Sequence, residues 1–449
     1  MPDDTARFSR TVEDACRVLH GRGDDFDPLL ESIGDARLVL LGEASHGTSD
    51  FYRARAQITQ QLIEEKGFTA VIVEADWPDA YRVNRFVRGE GADGDDGASA
   101  ALSGFLRFPQ WMWRNRDVMG LVRWLRQHND ALPAGQHKAG FYGMDLYSLY
   151  GSIEAVLQYL DRVDPAAAKR ARTRYGCFEH FEENPQAYGR SVGFELEPSC
   201  RKAVVQQLVD LRKHAAELAK RDGVVAEDEF FHAEQNARLV TAAEAYYREM
   251  FAGRVDTWNL RDTHMVDTIE ALLTHLDRTR GERTKAVAWA HNSHLGDARA
   301  TQMGRAGEVN VGQLCRERWG KQVFNVGFTT HDGIVAAASG WGGPVEFKRV
   351  IPSLPESYER VFHDTGIPAF MLLFDESPQA VEALTPDRLE RAIGVIYAPR
   401  TERYSHYFDA SLPKQFDAVI HFDTTGPVVP LERTAPFEPE SAETYPSGV

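Results

Sequence analysis

Short runs of apolar residues recur along the chain between longer polar stretches, and they predict a buried β-sheet. Each run is four to eight residues long, mostly non-alternating, and rich in Val, Ile and Phe. Strands that are buried on both faces have this pattern. Helical stretches separate several of the runs, as expected for the crossover connections between parallel strands. The runs lie at residues 38–42, 70–73, 139–144, 286–290, 323–328, 368–374, 393–398 and 417–422. We therefore expect an α/β fold with a mostly parallel central sheet flanked by helices.

The stretch from 150 to 284 has a different pattern and predicts helices. It is rich in Ala, Leu, Glu, Lys and Arg, which favour helix, and it lacks a convincing strand-type run. The predicted helices cover 152–163, 198–221, 228–251 and 258–278. We predict a helical insertion, residues 150–284, between the third and fourth strands of a discontinuous α/β core formed by residues 1–149 and 285–449. An exposed Gly- and Asp-rich loop is expected at 89–98, and a polar tail over the last dozen residues.

Composition and charge exclude several classes of protein. Apolar residues make up 43% and charged residues 26% of the 449 residues, as in ordinary globular proteins. The 51 basic and 67 acidic residues give a net charge of −16, which argues against a general nucleic-acid binder and against docking on anionic lipid. No signal peptide or apolar run of roughly 18 residues is visible, and four cysteines without a CxxC pair do not indicate a disulfide framework. We expect a soluble, cytoplasmic protein.

Ionisable residues follow four of the predicted strands. Ligands of open α/β sheets bind beyond the carboxyl ends of the strands, so several such residues on one edge indicate a site. The residues that follow the strands are Glu43, Glu74, Asp145 and His291, and His46 and His294 come three positions after Glu43 and His291. The alternative interpretation is that these side chains are helix caps and solvated loop carboxylates.

Two arginines lie on the apolar faces of predicted helices. At 100° per residue, Arg55 falls within the apolar stripe of the helix over residues 50–67, and Arg261 falls within that of the helix over residues 258–276. Arginine is rarely buried without a partner, so each should meet a carboxylate or a bound anion. The alternative is that each side chain reaches past the stripe to solvent.

Motifs for cofactors and nucleophiles are weak in this sequence. His291 and His294 have a spacing that permits a divalent ion, with His46 and nearby acids completing a shell, but the motif is not HExxH. A GxSxG match at residues 189–193 has no strand before it, as a nucleophile elbow requires. No Gly-rich phosphate loop precedes a helix. We therefore expect no cofactor and no metal.

The segment at residues 38–89 resembles the erythromycin esterase family. Its blocks GEASHG (42–47) and VEADWP (73–78) are highly specific, and later blocks follow in the family's order along nearly the whole chain. The later blocks are GFYGMDLYSL, DTWNLRDTHMVDTI, AVAWAHNSHLGD, FNVGFTTHDG and ERYSHYFDASLPKQFDAVIHF. The resemblance implies an α/β core with a helical insertion and a carboxylic ester hydrolase. Named members hydrolyse the lactone of macrolide antibiotics as resistance enzymes, and others are labelled succinoglycan biosynthesis proteins.

The resemblance also implies roles for particular residues. His46 falls on the histidine proposed as general base for water. The accompanying acids, the active-site arginine and the later histidine pair fall on Glu43, Glu74, Arg55, His291 and His294. We predict hydrolysis by His46-activated water without a covalent intermediate, because imidazole titrates near neutral pH. The remaining predicted roles are orientation of His46 by Glu43 or Glu74, oxyanion contacts from Arg55 and His291, and proton donation by His294.

The candidates for substrate binding are a separate set from the predicted catalytic residues. Candidate substrate-binding residues are Trp77, Asp145, Tyr246 and Arg261. The expected partner is a small-molecule ester, and the resemblance implies a macrolide lactone. We expect the protein to bind neither nucleic acid nor a membrane. Alternative functions are a divalent-metal-dependent hydrolase that uses the same pocket, and a non-catalytic polysaccharide-pathway or small-molecule binding protein.

Overall fold

The computed structural model describes residues 2–90, 97–181, 184–213, 224–251 and 254–432. The predicted tail lies outside these residues, as do positions 91–96 of the predicted loop. The strands are β1 (Arg17–Val18), β2 (Leu38–Leu41), β3 (Phe68–Asp76), β4 (Gly140–Asp145), β5 (Lys285–Trp289), β6 (Val323–Ala337), β7 (Glu346–Val350), β8 (Ala369–Leu373), β9 (Arg388–Arg391), β10 (Tyr407–Ala410) and β11 (Ala418–Thr425).

The α-helices lie between these strands. They are α1 (Pro2–Ala15), α2 (Asp27–Ile33), α3 (Ser49–Lys66), α4 (Trp77–Arg88), α5 (Ala98–Ala101), α6 (Gln110–Trp113), α7 (Arg116–Ala131), α8 (Leu149–Val163), α9 (Pro165–Tyr175), α10 (Pro185–Gly193), α11 (Arg201–Lys213), α12 (Val224–Glu249), α13 (Arg254–Arg280), α14 (Asn292–Leu295), α15 (Gln302–Arg305), α16 (Val311–Trp319), α17 (Tyr358–His363), α18 (Pro378–Leu384), α19 (Glu402–Ser405) and α20 (Leu412–Gln415).

Backbone contacts divide the chain into two units. The first comprises residues 1–72, 85–140 and 283–449, and the second comprises residues 73–84 and 141–282. In the first unit the strand order is β1-β8-β11-β6-β2-β5-β3, with β7 beside β6. Strands β5, β2, β6 and β11 are parallel, whereas β8, β1 and β7 pair antiparallel with their neighbours. The α/β fold with a mostly parallel sheet flanked by helices is confirmed.

One predicted strand is wrong. The apolar run at residues 393–398 follows β9, but it joins its neighbours through isolated bridges that pair Ser45 with Ile393 and Ala338 with Ile396. Ile393 is fully buried, and its backbone N–H donates to the carbonyl oxygen of Ala44 at 2.8 Å. This run is apolar because it packs beneath the loop that follows β2, and burial alone does not require a strand.

Helix α3 covers one face of the sheet in the first unit. Its apolar positions, which include Phe51, Ile58 and Leu62, are fully buried. The ring of Phe51 lies 5.5 Å from that of Phe328 on β6 and 6.4 Å from that of Phe422 on β11. Burial of such side chains stabilises the fold by about 1.5–3 kcal/mol each, so the helix that carries Arg55 is firmly held.

The second unit contains the end of β3, the neighbouring strand β4, most of α4 and the helices α8 to α13. The GxSxG match at 189–193 lies within α10, so its serine is on a helix and not on a strand-to-helix turn. Gly189 is required by packing, because a Cβ there would lie 2.1 Å from the carbonyl oxygen of Tyr247 on α12. This serine is therefore not a nucleophile of the elbow type.

One pair of cysteines is bonded, although the cysteine pattern did not indicate a disulfide framework. Cys177 and Cys200 form a disulfide within the second unit, whereas Cys16 and Cys315 are thiols. The bonded cysteines are 23 residues apart and follow different helices. Their pairing depends on how these helices pack, so it could not be predicted from the spacing. Among the described helices, none combines the length and apolarity that crossing a bilayer requires.

Candidate active site

The loops after β2 and β5 meet at the carboxyl edge of the sheet. These strands are parallel neighbours with Leu41 opposite Trp289, so Glu43 and His291 each follow at a distance of two residues. The backbone N–H of Asn292 donates to the carbonyl oxygen of Glu43 at 2.8 Å. The side-chain amide of Asn292 donates to the carbonyl oxygen of Phe328 on β6 at 2.8 Å. Asn292 thus joins the loops that follow β2 and β5 to the middle of β6.

The glycine that ends the GEASHG block fixes the loop that carries His46. A Cβ at Gly47 would lie 1.8 Å from the carbonyl oxygen of Ala336 on β6, so no other residue fits there. The Ala336 N–H donates to the Gly47 carbonyl oxygen at 3.1 Å, and the hydroxyl of Tyr52 donates to the His46 carbonyl oxygen at 2.9 Å. His46 therefore projects from a loop held on both sides, as a precisely oriented catalytic group requires.

Arg55, Glu43 and His46 form a buried chain of polar contacts. Arg55 Nη2 donates to Glu43 Oε2 at 2.6 Å, and Glu43 Oε1 lies 2.9 Å from His46 Nδ1. Glu43 and Arg55 are fully buried, and His46 is 3% exposed. A carboxylate has an oxygen for each neighbour, so it can accept a hydrogen bond from both Arg55 and His46. Arg55 thus meets a carboxylate, as its position on the apolar face of α3 predicts.

The charge of Arg55 is enclosed by two aromatic rings. Its Cζ lies 4.4 Å from the ring centroid of Tyr52 and 4.6 Å from that of Trp289, at the end of β5. Its Nε and Nη1 have no hydrogen-bond acceptor among the residues that the structure describes. Cation–π contacts and the Glu43 carboxylate together offset the cost of burying this charge. These two ring contacts have no signal in the sequence.

The contact with Glu43 selects one tautomer of His46. We assign the proton to Nδ1, since an ionised carboxylate accepts and cannot donate. Nε2 then keeps its lone pair, which is the state that a general base requires. The arrangement matches the acid–histidine half of a catalytic triad, in which the carboxylate orients the ring and stabilises its cation.

His291 lies beside His46, and its ring is held in a defined tautomer. The two ring centroids are 5.0 Å apart, and the planes are tilted by 53°. The backbone N–H of Ser293 donates to His291 Nδ1 at 3.2 Å, as a cap of the short helix α14. We therefore assign the proton of the neutral ring to Nε2. His294, on the same helix, is fully buried.

Glu74, Asp145 and Arg261 form a second buried ion cluster, in the second unit. Arg261 Nη2 donates to Glu74 Oε1 at 2.6 Å and to Asp145 Oδ2 at 2.8 Å, while Arg261 Nε donates to Asp145 Oδ1 at 3.0 Å. Burial lowers the pKa of Arg261, but Asp145 and its other neighbours outweigh that effect, so this pKa lies well above its usual value. Arg261 thus also meets carboxylates, and the convergence of Glu74 with His46 stays a prediction.

Trp77 and Tyr246 are buried within the second unit. The indole N–H of Trp77 donates to His232 Nδ1 at 2.9 Å, and its ring stacks on Tyr142 at 6.1 Å. The ring of Tyr246 meets that of Tyr147 edge-on at 5.4 Å. Both side chains take part in aromatic packing, and their contact with a substrate stays a prediction.

Comparison with known proteins identifies the family. The model of the erythromycin esterase family matches residues 63–425. The chain belongs to the erythromycin esterase family. The resemblance inferred from the GEASHG and VEADWP blocks is thereby confirmed. Membership of this family makes the chain an esterase-type hydrolase.

Individual relatives are distant but cover most of the chain. The erythromycin esterase type II of Escherichia coli is 22% identical over 417 residues, which are 89% of this chain and 92% of the relative. A crystal structure of a succinoglycan biosynthesis protein has a TM-score of 0.73 at 20% identity, covering 94% of this chain and 98% of the other. A mutant of the erythromycin esterase EreC in its open conformation has a TM-score of 0.64 at 18% identity, with 90% and 95% coverage. These structures share the fold of this family member.

Glu390 is a buried acid beside the site that sequence reasoning missed. It lies on β9, is fully buried, and accepts hydrogen bonds from Gln415 Nε2 and, at 3.4 Å, from Asn292 Nδ2. Burial raises the pKa of Glu390 to about 8; the contact with Gln415 opposes this shift, and the nearby Glu359 adds to it. The carboxyl is therefore mainly neutral at pH 7. Glu390 lies in the sequence RLER, which is mostly polar, so the sequence did not predict that this side chain is buried.

Replacing Glu390 with Gln should flatten the dependence of stability on pH. The native state keeps a proton that the unfolded chain loses above pH 4.5, so native stability falls as the pH rises from about 4.5 through about 8. Removing the ionisable group should reduce this slope by up to about 1.4 kcal/mol per pH unit. Urea unfolding at a series of pH values measures the effect. Glu382→Gln, an exposed change of the same type, should follow the parent, and superimposable curves for Glu390→Gln and the parent would refute the assignment.

Proposed function

We propose that the protein hydrolyses a carboxylic ester by direct attack of a water molecule that His46 activates. The observation that supports this most strongly is the buried chain Arg55–Glu43–His46, which leaves His46 Nε2 as a proton acceptor. Water is a poor nucleophile at neutral pH, and removing its proton during attack lowers the barrier. Glu43 orients the ring and stabilises the imidazolium, while Arg55 holds the Glu43 carboxylate in place.

The neighbouring histidines have complementary roles in this proposal. The tetrahedral intermediate of ester hydrolysis carries an oxyanion, which preorganised donors stabilise. His291 carries its proton on Nε2 and lies beside His46, so it is the donor that we assign to the oxyanion. His294 gives a proton to the departing alcohol. Arg55 is a positioning residue, because its guanidinium is already bound to Glu43 and covered by two rings.

The serines of the two loops do not serve as nucleophiles in this proposal. The hydroxyl of Ser45 is hydrogen-bonded to that of Thr48. The hydroxyl of Ser293 lies 2.8 Å from His291 Nδ1, which already accepts the backbone N–H of Ser293. This contact is the capping arrangement of α14, so we expect Ser293→Ala to retain activity within about tenfold of the parent, as loss of one neutral hydrogen bond implies.

A macrolide lactone is the substrate that we propose. The support is the name of the Escherichia coli relative, an erythromycin esterase, together with family membership. A lactone is a cyclic ester, so the proposed chemistry opens the ring and adds one water. Asp145, Arg261, Trp77 and Tyr246 are the side chains that we propose for substrate binding, and the catalytic role of Glu74 stays a prediction.

Mass spectrometry of an ester panel tests this function. The purified protein is incubated with macrolides, simpler lactones, linear esters and matched amides, and products are scanned for the gain of one water. We expect at least one ester, and none of the amides, to gain a water that carries the label when H₂¹⁸O is used. If no ester in the panel reacts faster with the parent than with His46→Asn, the proposal fails.

A further inference from the structure

Three histidines and an aspartate gather on one face of the sheet in the first unit. His331 lies on β6, His421 and Asp423 lie on β11, and His363 ends α17. The parallel register pairs Phe422 with Thr330 and Thr424 with Asp332, which places Asp423 beside His331. Because side chains alternate along a strand, His331, His421 and Asp423 point to the same face.

This face is the one opposite to α3. The residues that contact Phe51 of α3 are Phe328 on β6 and Phe422 on β11, at even-numbered positions. The histidines and the aspartate of the two strands are at odd-numbered positions, so they point away from the helix that carries Arg55. The cluster is therefore separate from the Arg55–Glu43–His46 chain.

The spacing of the donor atoms suits one metal ion. One nitrogen of His331, one of His363 and one carboxylate oxygen of Asp423 all lie within 4.8 Å of one another. The rings of His331 and His363 are stacked, with centroids 3.6 Å apart and an interplanar angle of 8°. Zinc–nitrogen bonds of about 2.0–2.1 Å in a tetrahedron separate two nitrogens by roughly 3.3 Å. To reach this geometry the donor atoms must move closer, and the half-exposed ring of His363 must rotate out of the stack so that both lone pairs meet at the ion.

Hydrogen bonds outside the cluster orient two of the histidines. His331 Nδ1 lies 2.6 Å from the hydroxyl of Ser353, and His421 Nδ1 lies 2.9 Å from that of Thr329. Such contacts at one ring nitrogen leave Nε2 for a metal and fix the ring's direction, as in known metal sites. His421 is fully buried, and its Nε2 lies 3.6 Å from Asp423 Oδ1. This nitrogen faces the same carboxylate oxygen as His363 Nδ1, so it can serve as a further donor to an ion bound there.

We propose that His331, His363 and Asp423, with His421 Nε2 as fourth donor, bind a single divalent transition-metal ion of the zinc type. Imidazole nitrogens favour zinc and its neighbours over calcium or magnesium, which prefer oxygen ligands. The ion would join α17 to β6 and β11, replacing the contact of 2.8 Å between His363 Nδ1 and Asp423 Oδ1. Its role is structural, since the cluster faces away from α3.

Zinc binding to two variants and a matched control tests this site. Chelator-treated, dialysed protein is titrated with Zn²⁺ by calorimetry, and with Co²⁺ to record the visible absorption of a tetrahedral site. We expect one equivalent of zinc to bind the parent and raise its Tm. His363→Ala and Asp423→Asn should weaken the affinity at least tenfold and abolish the rise in Tm. His363 is 37% exposed at its side chain, so its replacement should leave the fold intact.

The control is His128→Ala, which removes a half-buried histidine stacked on Trp124 at 5.0 Å. It should bind zinc like the parent. Both cluster variants keep His46, His291 and His294, so zinc that still binds them with parental affinity would belong to those histidines and would overturn the proposal. Absence of zinc binding to the parent would overturn it as well.

Discussion

Replacing His46 with Asn should lower kcat/KM for ester hydrolysis by about 10²–10⁴-fold, because the variant loses the base that takes the proton from water. The fold should remain intact, since His46 lies on a loop and, among the residues that the structure describes, its side chain is hydrogen-bonded to Glu43. Steady-state kinetics on an ester found by the panel, together with the Tm of the variant, measure both expectations.

A matched change separates the role of His46 from a general effect of losing a histidine. His128→Asn removes a half-buried ring outside the Arg55–Glu43–His46 chain and should keep parental kcat/KM. A His46→Asn protein whose turnover is within threefold of the parent would remove His46 from the mechanism.

Replacing Arg55 with Met should lower the free energy of unfolding by about 3–5 kcal/mol, because it leaves the Glu43 carboxylate buried without its compensating cation. Methionine keeps the apolar stem but ends one atom before the Cζ that lies between Tyr52 and Trp289, so part of the loss comes from this unfilled space. Activity should fall in the same variant, since Glu43 is then no longer held in the position that orients His46.

The double variant Arg55→Met, Glu43→Gln distinguishes a charge effect from a packing effect. With neither charge present, most of the lost stability should return, while activity stays low because His46 lacks its carboxylate. Urea unfolding of the parent, both single variants and the double variant gives the coupling energy. Additive losses in stability, with no recovery in the double variant, would mean that the Arg55–Glu43 pair is not the reason for the instability.

Strands β2 to β6, β8 and β11 were predictable because fully buried strands carry uninterrupted apolar runs, whereas the short or polar strands β1, β7, β9 and β10 carry none. The wrongly predicted strand at residues 393–398 has the same origin. An apolar run indicates that a segment is buried, but it does not show that the backbone forms the hydrogen bonds of a strand. The burial of Arg55 and its need for an anionic partner were predictable from its position on the apolar face of the helix. A buried cation needs such a partner, whichever segment of the chain supplies it. Its partner Glu43 was among the predicted acids, whereas Glu74 is bound by Arg261.

Features that join distant segments could not be read from the sequence. The disulfide between Cys177 and Cys200 depends on how two helices of the second unit pack, and the pKa of Glu390 depends on burial beneath Gln415. The cluster around Asp423 joins two strands and one helix, so its histidines have no motif spacing. Sequence patterns reveal the type and face of an element, and the tertiary fold decides which side chains meet.

Direct attack of His46-activated water on the ester leaves no covalent trace on the protein. Rapid-quench mass spectrometry of a single turnover examines this step, because product and intact protein are measured in the same samples. We expect a product that gains one water, a protein mass that is unchanged at every time point, and loss of this time course in His46→Asn. A protein that becomes transiently heavier by the acyl group, or a His46→Asn variant with the parental time course, would rule out the mechanism.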